Sequence, residues 1–426
     1  MIEFSQREKE VLRRLAEKKA EVAALPIHAQ KREMWTKMNR LDVTKPMLWM
    51  NERPWHELGI HAECECENEF AYFIEQKLRK EIYQWEHMPL DNVVENWVEC
   101  PMAVSDTGFG IQEVSEERHT NDGTIYSHGF IPQIKEPSDI DKIEDPVVSH
   151  DIEQTEARFH ALDDAIGDII AVRKRGVPHL WFAPWDELIR WWGVQQALMD
   201  LALRPQMVRD IMDRLVEAYL CRLDQYVDLN VLSINNDNHR VGSGAYGYSD
   251  ELPAEDFDGE HVRPIDLWGN GAAQIFSEVS PEMHAEFALQ YEIKWMKRFG
   301  LNYYGCCEPL HNKLDLLKDV PNLRKISISP WADLDKAVEQ MRGKYVISYK
   351  PNPAIFAERQ WDLAKARSDL QQALEKMEGC CIEIIAKDLS TVQNEPRRLW
   401  EWSSMASDIT AEFAEKMPVG RDDRVA

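Results

Sequence analysis

Short apolar runs alternate with long helical patterns along most of the chain, and this alternation constrains the fold more than any other feature. Between most of the runs lie segments with apolar residues at helical spacing, such as 153–175, 204–226, 281–299 and 361–378. Parallel strands need helical crossovers, and eight such strands can close around a filled interior. The sequence therefore predicts an α/β fold with a single (β/α)8 TIM barrel. The eight predicted strands are 47–50, 96–104, 179–184, 231–235, 302–307, 323–329, 345–350 and 381–387.

Three parts are expected along the chain: an N-terminal helical extension (1–40), the barrel (41–410) and a charged C-terminal tail (411–426). The extension is expected to be a packing surface or a homodimer surface. Two insertions, at about 105–150 and 238–275, follow predicted strands. Both are therefore expected over the C-terminal mouth of the barrel, where substrate loops lie. Glycines in the second insertion would give hinges to a lid; in the alternative, it is a fixed wall of the pocket.

The composition narrows the classes of function. The 426 residues carry a net charge of −25, whereas nucleic acids and anionic membranes attract a basic face. We therefore expect neither as a partner, and no run approaches the ~18 apolar residues of a transmembrane helix. The first ten residues lack the apolar core of a signal peptide. Two adjacent cysteine pairs suit a reducing compartment, so the sequence predicts a cytoplasmic protein.

The stretch NYYGCCEPLH (302–311) has the highest density of reactive side chains. It ends a predicted strand, and such side chains at the end of a barrel strand are typical of an active site. In the alternative interpretation, one cysteine is only a small buried hydrophobe, and Glu308 with Pro309 begins a helix. The reactive side chains are Tyr304, Cys306, Cys307, Glu308 and His311.

Other strand ends are expected to contribute to the same mouth. Asp237 ends the fourth run and Glu308 follows the fifth, so a barrel would bring both carboxylates to one pocket and separate their pKa values. Together with Tyr304 and His239 they are the predicted catalytic residues. In the alternative, Asp237 only caps the next segment. The predicted substrate contacts are aromatic and polar side chains near strand ends: Trp49, Asn51, Glu52, Trp55, Trp185, Asn235, Tyr246, Trp331 and Lys350.

Thiolate, imidazole and carboxylate groups at the mouth are also ligands of zinc, and three protein ligands with an open position are typical of catalytic zinc. No local spacing fixes the set, because the ligands come from different strands. A rival segment at 56–67, HELGIHAECECE, has ligand side chains without a spacing typical of zinc, and its acidic residues also suit a helix start. The predicted metal ligands are Cys306, Cys307, His311 and Asp388.

From the third run onward, the chain resembles the uroporphyrinogen decarboxylase superfamily, which also contains the zinc methyltransferases of corrinoid systems. The resemblance covers roughly residues 160–410, and its most specific piece is the helix start SPEMHAEF feeding a strand that ends in cysteine. It implies a (β/α)8 barrel. The segments that carry it are 181–215, 231–237 (VLSINND), 277–317 and 348–354 (SYKPNPA).

Departures from the family pattern bear on the subgroup. True porphyrinogen decarboxylases have an arginine-rich segment after strand one that holds several propionates, whereas this chain reads NERPWHEL with Arg53 alone. This and the net charge argue against an octacarboxylate substrate. Thiol-alkylating corrinoid methyltransferases have His-x-Cys after strand five and a cysteine after strand eight. Here Tyr304 and Cys306 fall on the first motif, and the second position falls near Lys387 or Asp388, so the zinc set that activates a coenzyme thiol is incomplete.

The remaining pattern resembles the methyltransferase component of O-demethylase systems. The resemblance implies an enzyme that moves a methyl group from a small-molecule methyl donor, with methoxylated aromatics favoured, to a corrinoid protein, assisted by zinc. An aryl methyl ether needs a Lewis acid or a general acid on its oxygen before it reacts. The alternatives are a non-porphyrin decarboxylase or lyase, another methyl transfer, and an inactive barrel that serves as a subunit.

Overall fold

The computed structural model describes residues 2–119 and 126–416. Its strands are short, and most of them are buried. In chain order they are β1 Met47–Met50, β2 Trp97–Pro101, β3 Ala103–Asp106, β4 Ser115–His119, β5 Tyr126–Phe130, β6 Val148–Asp151, β7 Ala171–Arg175, β8 Trp268–Gly271, β9 Leu301–Tyr304, β10 Leu323–Ile328, β11 Val346–Tyr349 and β12 Ile382–Ala386.

Six of these strands form one parallel sheet in the order β1-β12-β11-β10-β9-β8. The first strand lies beside the last, with Met47 opposite Glu383 and Met50 opposite Ala386. The other described sheets are two-stranded: β2 pairs with β7 in parallel, and β3–β6 and β4–β5 are antiparallel. The predicted α/β class is confirmed.

Five of the eight predicted strands belong to this sheet as β1, β9, β10, β11 and β12. The run 96–104 forms β2 and β3, which pair elsewhere, and 179–184 is not a strand. The run 231–235 contributes one parallel bridge, between Val177 and Leu232. Strand β8 lies inside a predicted insertion. Its sequence, WGNG, lacks an apolar run because a side chain at Gly269 would lie 2.5 Å from the Phe299 ring.

Helices connect and cover the strands. Helix α1 begins with a capping box, in which the Ser5 side chain accepts from the Glu8 amide and the Glu8 side chain accepts from the Ser5 amide. No helix in the described residues is long and apolar enough to cross a membrane. The helices are α1 Gln6–Ala23, α2 Ile27–Asn39, α3 Glu69–His87, α4 Ile152–Ile166, α5 Pro184–Trp192, α6 Val194–Leu203, α7 Pro205–Asp228, α8 Pro281–His284, α9 Gln290–Met296, α10 Leu334–Met341, α11 Ala354–Ala357, α12 Leu363–Lys376 and α13 Arg397–Lys416.

The structure corrects one predicted helix, and it describes only part of the predicted C-terminal tail. The predicted helix 153–175 ends at Ile166, and β7 follows, where Ala171 pairs with Trp97. A side chain at Gly167 would lie 2.6 Å from the Asp163 carbonyl, which leaves only glycine at this helix end. The charged tail predicted at 411–426 lies within the described residues only as far as the end of α13.

The two faces of the six-stranded sheet differ in character. The outer face packs against helices through apolar side chains such as Leu48, Ile326 and Ile384 in the largest core cluster. The inner face carries buried polar groups. Lys325 Nζ lies 2.8 Å from Glu383 Oε2, and both side chains are fully buried. This inner face leads to the carboxyl ends of the strands.

The loop 241–248 packs against the inner face, and we call it the buried loop. Every residue in it is buried. Tyr246 contacts Trp35 of α2 and Trp49 of β1, with ring centroids 5.4 and 5.6 Å apart. A side chain at Gly244 would lie 2.5 Å from both Glu383 Oε1 and Tyr303 Cε2. The glycines therefore permit close packing, and this part of the second insertion is packed into the core instead of forming a hinged lid.

Candidate functional site

Two adjacent thiols lie just beyond the carboxyl end of β9. Gly305 has a φ of +93°, and this left-handed conformation turns the chain sharply after the strand. Cys306 Sγ then lies 3.5 Å from Cys307 Sγ. Lys387, which follows β12, places Nζ 3.3 Å from Cys306 Sγ and 3.7 Å from Cys307 Sγ. The structure thus brings two thiols and an ammonium group to one edge of the sheet.

The two thiols differ in acidity. The hydrogen bond from Cys307 and the charges of Lys387 and Lys350 outweigh burial and lower the pKa of Cys306 to about 5. The same hydrogen bond, together with burial, raises the pKa of Cys307. Burial opposes the charge of Lys387, but the neighbouring thiols and carboxylates raise its pKa above the usual value. At neutral pH the pair is therefore a Cys306 thiolate against a Lys387 ammonium.

A pair of carboxyl groups adjoins this ion pair. Glu52 and Asp388 follow the neighbouring strands β1 and β12, and both have positive φ values, 53° and 59°. The Asp388 amide lies 3.3 Å from Glu52 Oε2. Burial and the hydrogen bond with Asp388 raise the pKa of Glu52. Burial also opposes ionisation of Asp388, but the hydrogen bond with Glu52 and the Lys387 charge lower its pKa. We call Cys306, Cys307, Lys387, Glu52 and Asp388 the thiol site.

A third carboxyl group, on α5, interacts with the charge of Cys306. Asp186 lies in the first turn of this helix and accepts a hydrogen bond of 2.7 Å from Gln274. Burial and the charge of Cys306 raise the pKa of Asp186 to about 6, against opposing hydrogen bonds from Gln274 and Trp181. The Trp181 ring packs in the same small cluster as Cys306 and Cys307. The thiols therefore have an aromatic wall, and a weak acid interacts electrostatically with Cys306.

Below the thiols, the inner face continues as a chain of buried polar groups. Lys350 Nζ donates to Tyr303 Oη at 2.9 Å and to the Ser327 hydroxyl. Ser327 in turn donates to the Cys306 carbonyl. Ser243 of the buried loop interacts with Cys306 and helps to lower the pKa of its thiol. The position of Cys306 is thus fixed from two elements of the fold.

Six of the predicted site residues meet at this edge. Cys306, Cys307 and Asp388 were expected as metal ligands, and Glu52 and Lys350 as substrate contacts. Asn51, another expected substrate contact, donates to Glu52 at 3.2 Å.

Tyr304 and Glu308 are buried on the other side of the backbone. The Tyr304 hydroxyl donates to Glu292 Oε2 at 2.6 Å and contacts His284 Nε2 at 2.6 Å, so it faces the helix layer. Glu308 accepts from the Cys306 amide at 2.9 Å. Burial and the Cys306 charge raise the pKa of Glu308. Glu308 supports the thiol turn from below, whereas Tyr304 joins a separate buried cluster.

Asp237 and His239 belong to a second polar cluster. Asp237 lies 2.8 Å from both His239 Nδ1 and Arg175, and His239 Nε2 lies 2.7 Å from Glu99. Burial lowers the pKa of His239, but the two carboxylates outweigh it and raise the pKa. Asp237 also accepts from the His239 amide at 3.1 Å, as in a turn. Asp237 and Glu308 therefore have different partners and do not form the expected pair.

Most of the expected aromatic contacts are structural. Trp49 packs on Tyr246 of the buried loop. Trp185 is fully buried, with its indole donating to the Phe287 carbonyl. Trp55 packs on Tyr83, with ring centroids 6.1 Å apart. Trp331 is 67% exposed. Asn235 holds the Trp268 backbone by hydrogen bonds of 2.9 and 3.0 Å.

The predicted zinc ligands do not fit a metal site. His311 lies near α10, where burial and Lys336 lower its pKa. Within residues 2–119 and 126–416, no group of three His, Cys, Asp or Glu side chains is arranged to hold a metal ion. The Lys387 ammonium occupies the position between the two thiols and Asp388 that a cation would take. The positive charge of Lys387 thus balances the negative charge of Cys306 and Asp388.

Sequence reasoning gave no role to Lys387, Trp181, Asp186 or Ser243. A signal existed for Asp186, because it lies in a Pro-started helix directly after an apolar run, as a carboxylate after a strand end would. Ser243 had no such signal, since it reaches Cys306 only because the buried loop folds into the sheet.

Comparisons with known proteins find similarity in structure but not in sequence. No family model matches the chain, and no curated protein matches it. Among solved structures, a methyltransferase from Methanosarcina mazei aligns over 90% of this chain and 98% of its own length, with a TM-score of 0.47 and 11% sequence identity. This likeness is too weak to assign a family or an activity.

Proposed function

We propose that this protein is a methyltransferase that moves a methyl group from a small methylated donor, with a methoxylated aromatic favoured, to a corrinoid protein. One observation carries the proposal: the Cys306–Lys387 ion pair lies beside the Trp181 ring, and the weakly acidic Asp186 carboxyl interacts with the charge of Cys306. A nucleophile, a cation, an acid and an aromatic wall in one place suit the cleavage of an aryl methyl ether. The corrinoid is the methyl acceptor and is carried by the partner.

An aryl methyl ether is hard to cleave because its leaving group is a phenolate. A phenolate is basic, with a pKa of about 10 for its conjugate acid, and it needs a proton or a positive charge as it leaves. Asp186, with a pKa of about 6, supplies the proton. The Lys387 ammonium supplies positive charge where the sequence suggested zinc. Trp181 offers a surface on which an aromatic ring stacks.

The fold in this proposal is the full (β/α)8 barrel. Pairing continues beyond both edges of the six-stranded sheet: the Ala272 amide donates to the Phe182 carbonyl at 3.2 Å, and the Asp91 amide donates to the Leu48 carbonyl at 3.0 Å. The bridge between Val177 and Leu232 adds a further parallel contact. These contacts support closure of the sheet, with the thiol site at its C-terminal mouth.

The test is a methyl-transfer assay. The purified chain is mixed with a reduced corrinoid protein, or with reduced cobalamin, and with the ortho, meta and para methoxybenzoates. We expect loss of the reduced corrinoid spectrum and formation of methylated corrinoid together with hydroxybenzoate. Cys306→Ser is the inactive comparison, and Cys221→Ser, on the distant helix α7, is the matched control. No methylated corrinoid from any donor would contradict the proposal.

A non-porphyrin decarboxylase or lyase is the second candidate, and Lys350 and Lys387 favour it. Both ammonium groups are almost fully buried, 2% and 4% exposed, in a strongly acidic chain. Two buried cations can hold a substrate carboxylate. Release of carbon dioxide from a panel of aromatic carboxylic acids, without a corrinoid, would select this candidate.

A further inference from the structure

We propose that Cys306 carries the methyl group covalently, as S-methylcysteine, between the donor and the corrinoid acceptor. The inference rests on the proposed function and gives the thiol pair a chemical role within it. The competing route is direct transfer from donor to acceptor, with Cys306 serving only as a charge in the wall of the site.

The geometry around Cys306 is that of an activated nucleophile. Its sulfur lies 3.3 Å from the Lys387 ammonium and 3.5 Å from the Cys307 thiol, and Ser243 also faces it. These contacts stabilise an anionic sulfur without a separate base. The Cys306 amide and carbonyl are held by Glu308 and Ser327, so the sulfur has a fixed direction. Cys306 is only 5% exposed, which shields the sulfur from water.

The first half-reaction is a displacement at the methyl carbon. The electron pair of the Cys306 sulfur forms the S–CH₃ bond as the O–CH₃ bond breaks. The electron pair of the broken bond goes to the phenolic oxygen, which takes a proton from Asp186. The products are S-methylcysteine and a phenol, and no atom changes oxidation state through an external oxidant or reductant.

The second half-reaction restores the thiolate. The reduced cobalt of the acceptor supplies the electron pair for the new bond to methyl, and the pair of the S–CH₃ bond returns to sulfur. The same contacts that stabilise the thiolate, from Lys387 and Cys307, make this sulfur a good leaving group, since a thiol of lower pKa leaves faster. Asp186 regains its proton from water. One set of contacts therefore favours both halves.

The experiment follows the methyl group in a single turnover. The full chain is incubated with trideuteromethoxybenzoate in the absence of acceptor, digested, and mapped by mass spectrometry. We expect one trideuteromethyl group per chain, on Cys306, with the half-buried Cys221 unlabelled as the internal control. Addition of reduced corrinoid protein should remove the label at least as fast as steady-state turnover and yield labelled methylcorrinoid.

Variants separate the inference from the function on which it rests. Cys306→Ser should lose both labelling and transfer, while Cys221→Ser keeps both; thermal melting checks that each variant is folded. Methylated corrinoid formed at the normal rate without label on Cys306 overturns the covalent carrier and leaves the methyltransferase standing. Absence of both label and methylcorrinoid with every methoxybenzoate overturns the proposed function itself.

Discussion

The Lys387 ammonium lies 3.3 Å from the Cys306 sulfur, beside the thiols that the sequence suggested as metal ligands. The two residues follow β12 and β9, which are separated in the sheet by β11 and β10, so they meet across the carboxyl end of the sheet. A buried thiol next to a buried lysine forms an ion pair whose charge state can be measured directly.

Replacement of Lys387 by Met should raise the pKa of Cys306. In the wild type, the rate of alkylation by iodoacetamide should reach half its maximum near pH 5, because the hydrogen bond from Cys307 and the Lys387 charge favour the thiolate. Loss of the positive charge disfavours the thiolate, so the variant's midpoint moves to higher pH. Lys365→Met, on the exposed face of α12, is the control. An unchanged midpoint in Lys387→Met would show that the lysine does not set the acidity.

Methyl transfer should decline as the pH rises through about 6. Asp186 must be protonated to donate to the leaving oxygen, and burial together with the Cys306 charge places its pKa at about 6, so deprotonation removes the acid above that value. Asp186→Asn should lower single-turnover transfer roughly 10²-fold or more and flatten this limb of the profile. Glu187→Gln, next in the same helix, is the matched control. A retained limb in Asp186→Asn would assign the acid to another residue, with Glu52 the first to test.

The carboxyl groups at the strand ends indicate how much of the site the sequence predicts. A pair with separated pKa values was expected from Asp237 and Glu308, and such a pair exists as Glu52 and Asp388. The chemistry was visible in the sequence, because carboxylates follow several strands. The pairing was not, because it depends on β1 lying beside β12.

The misplacement of Asp237 has a local cause. Its partner Arg175 ends β7, a strand that the sequence pattern merged into the preceding helix. The five sheet strands that were predicted each carry three or four aliphatic or aromatic side chains. Strand β8 instead contains two glycines that make room for Phe299 and Met296. The apolar pattern thus predicts a strand whose own side chains fill the core. It fails where the side chain of a neighbour fills that space and the strand requires glycine.

The ion pair between Lys325 and Glu383 should matter for stability. Both side chains are fully buried, and Lys325 also donates to the Tyr246 carbonyl at 3.0 Å. Lys325→Met leaves a buried carboxylate without its cation and should cost about 3–5 kcal/mol of unfolding free energy. The double variant Lys325→Met with Glu383→Leu removes both charges and should recover much of this loss. Urea denaturation of the three proteins gives the comparison. Equal stability of the single and double variants would mean that the carboxylate finds another partner.

The buried loop gives the last prediction. Because a side chain at Gly244 would lie 2.5 Å from Glu383 and Tyr303, Gly244→Ala should lower the unfolding free energy by about 1–3 kcal/mol, the usual cost of overpacking. Glu255→Ala, an exposed position in the same insertion, is the control and should change little. A hinged lid would tolerate both changes and would show its effect in turnover alone. Full stability of Gly244→Ala with slowed methyl transfer would therefore return the loop to the role of a lid. Loss of stability in that variant alone identifies the loop as part of the core that supports Ser243 beneath Cys306.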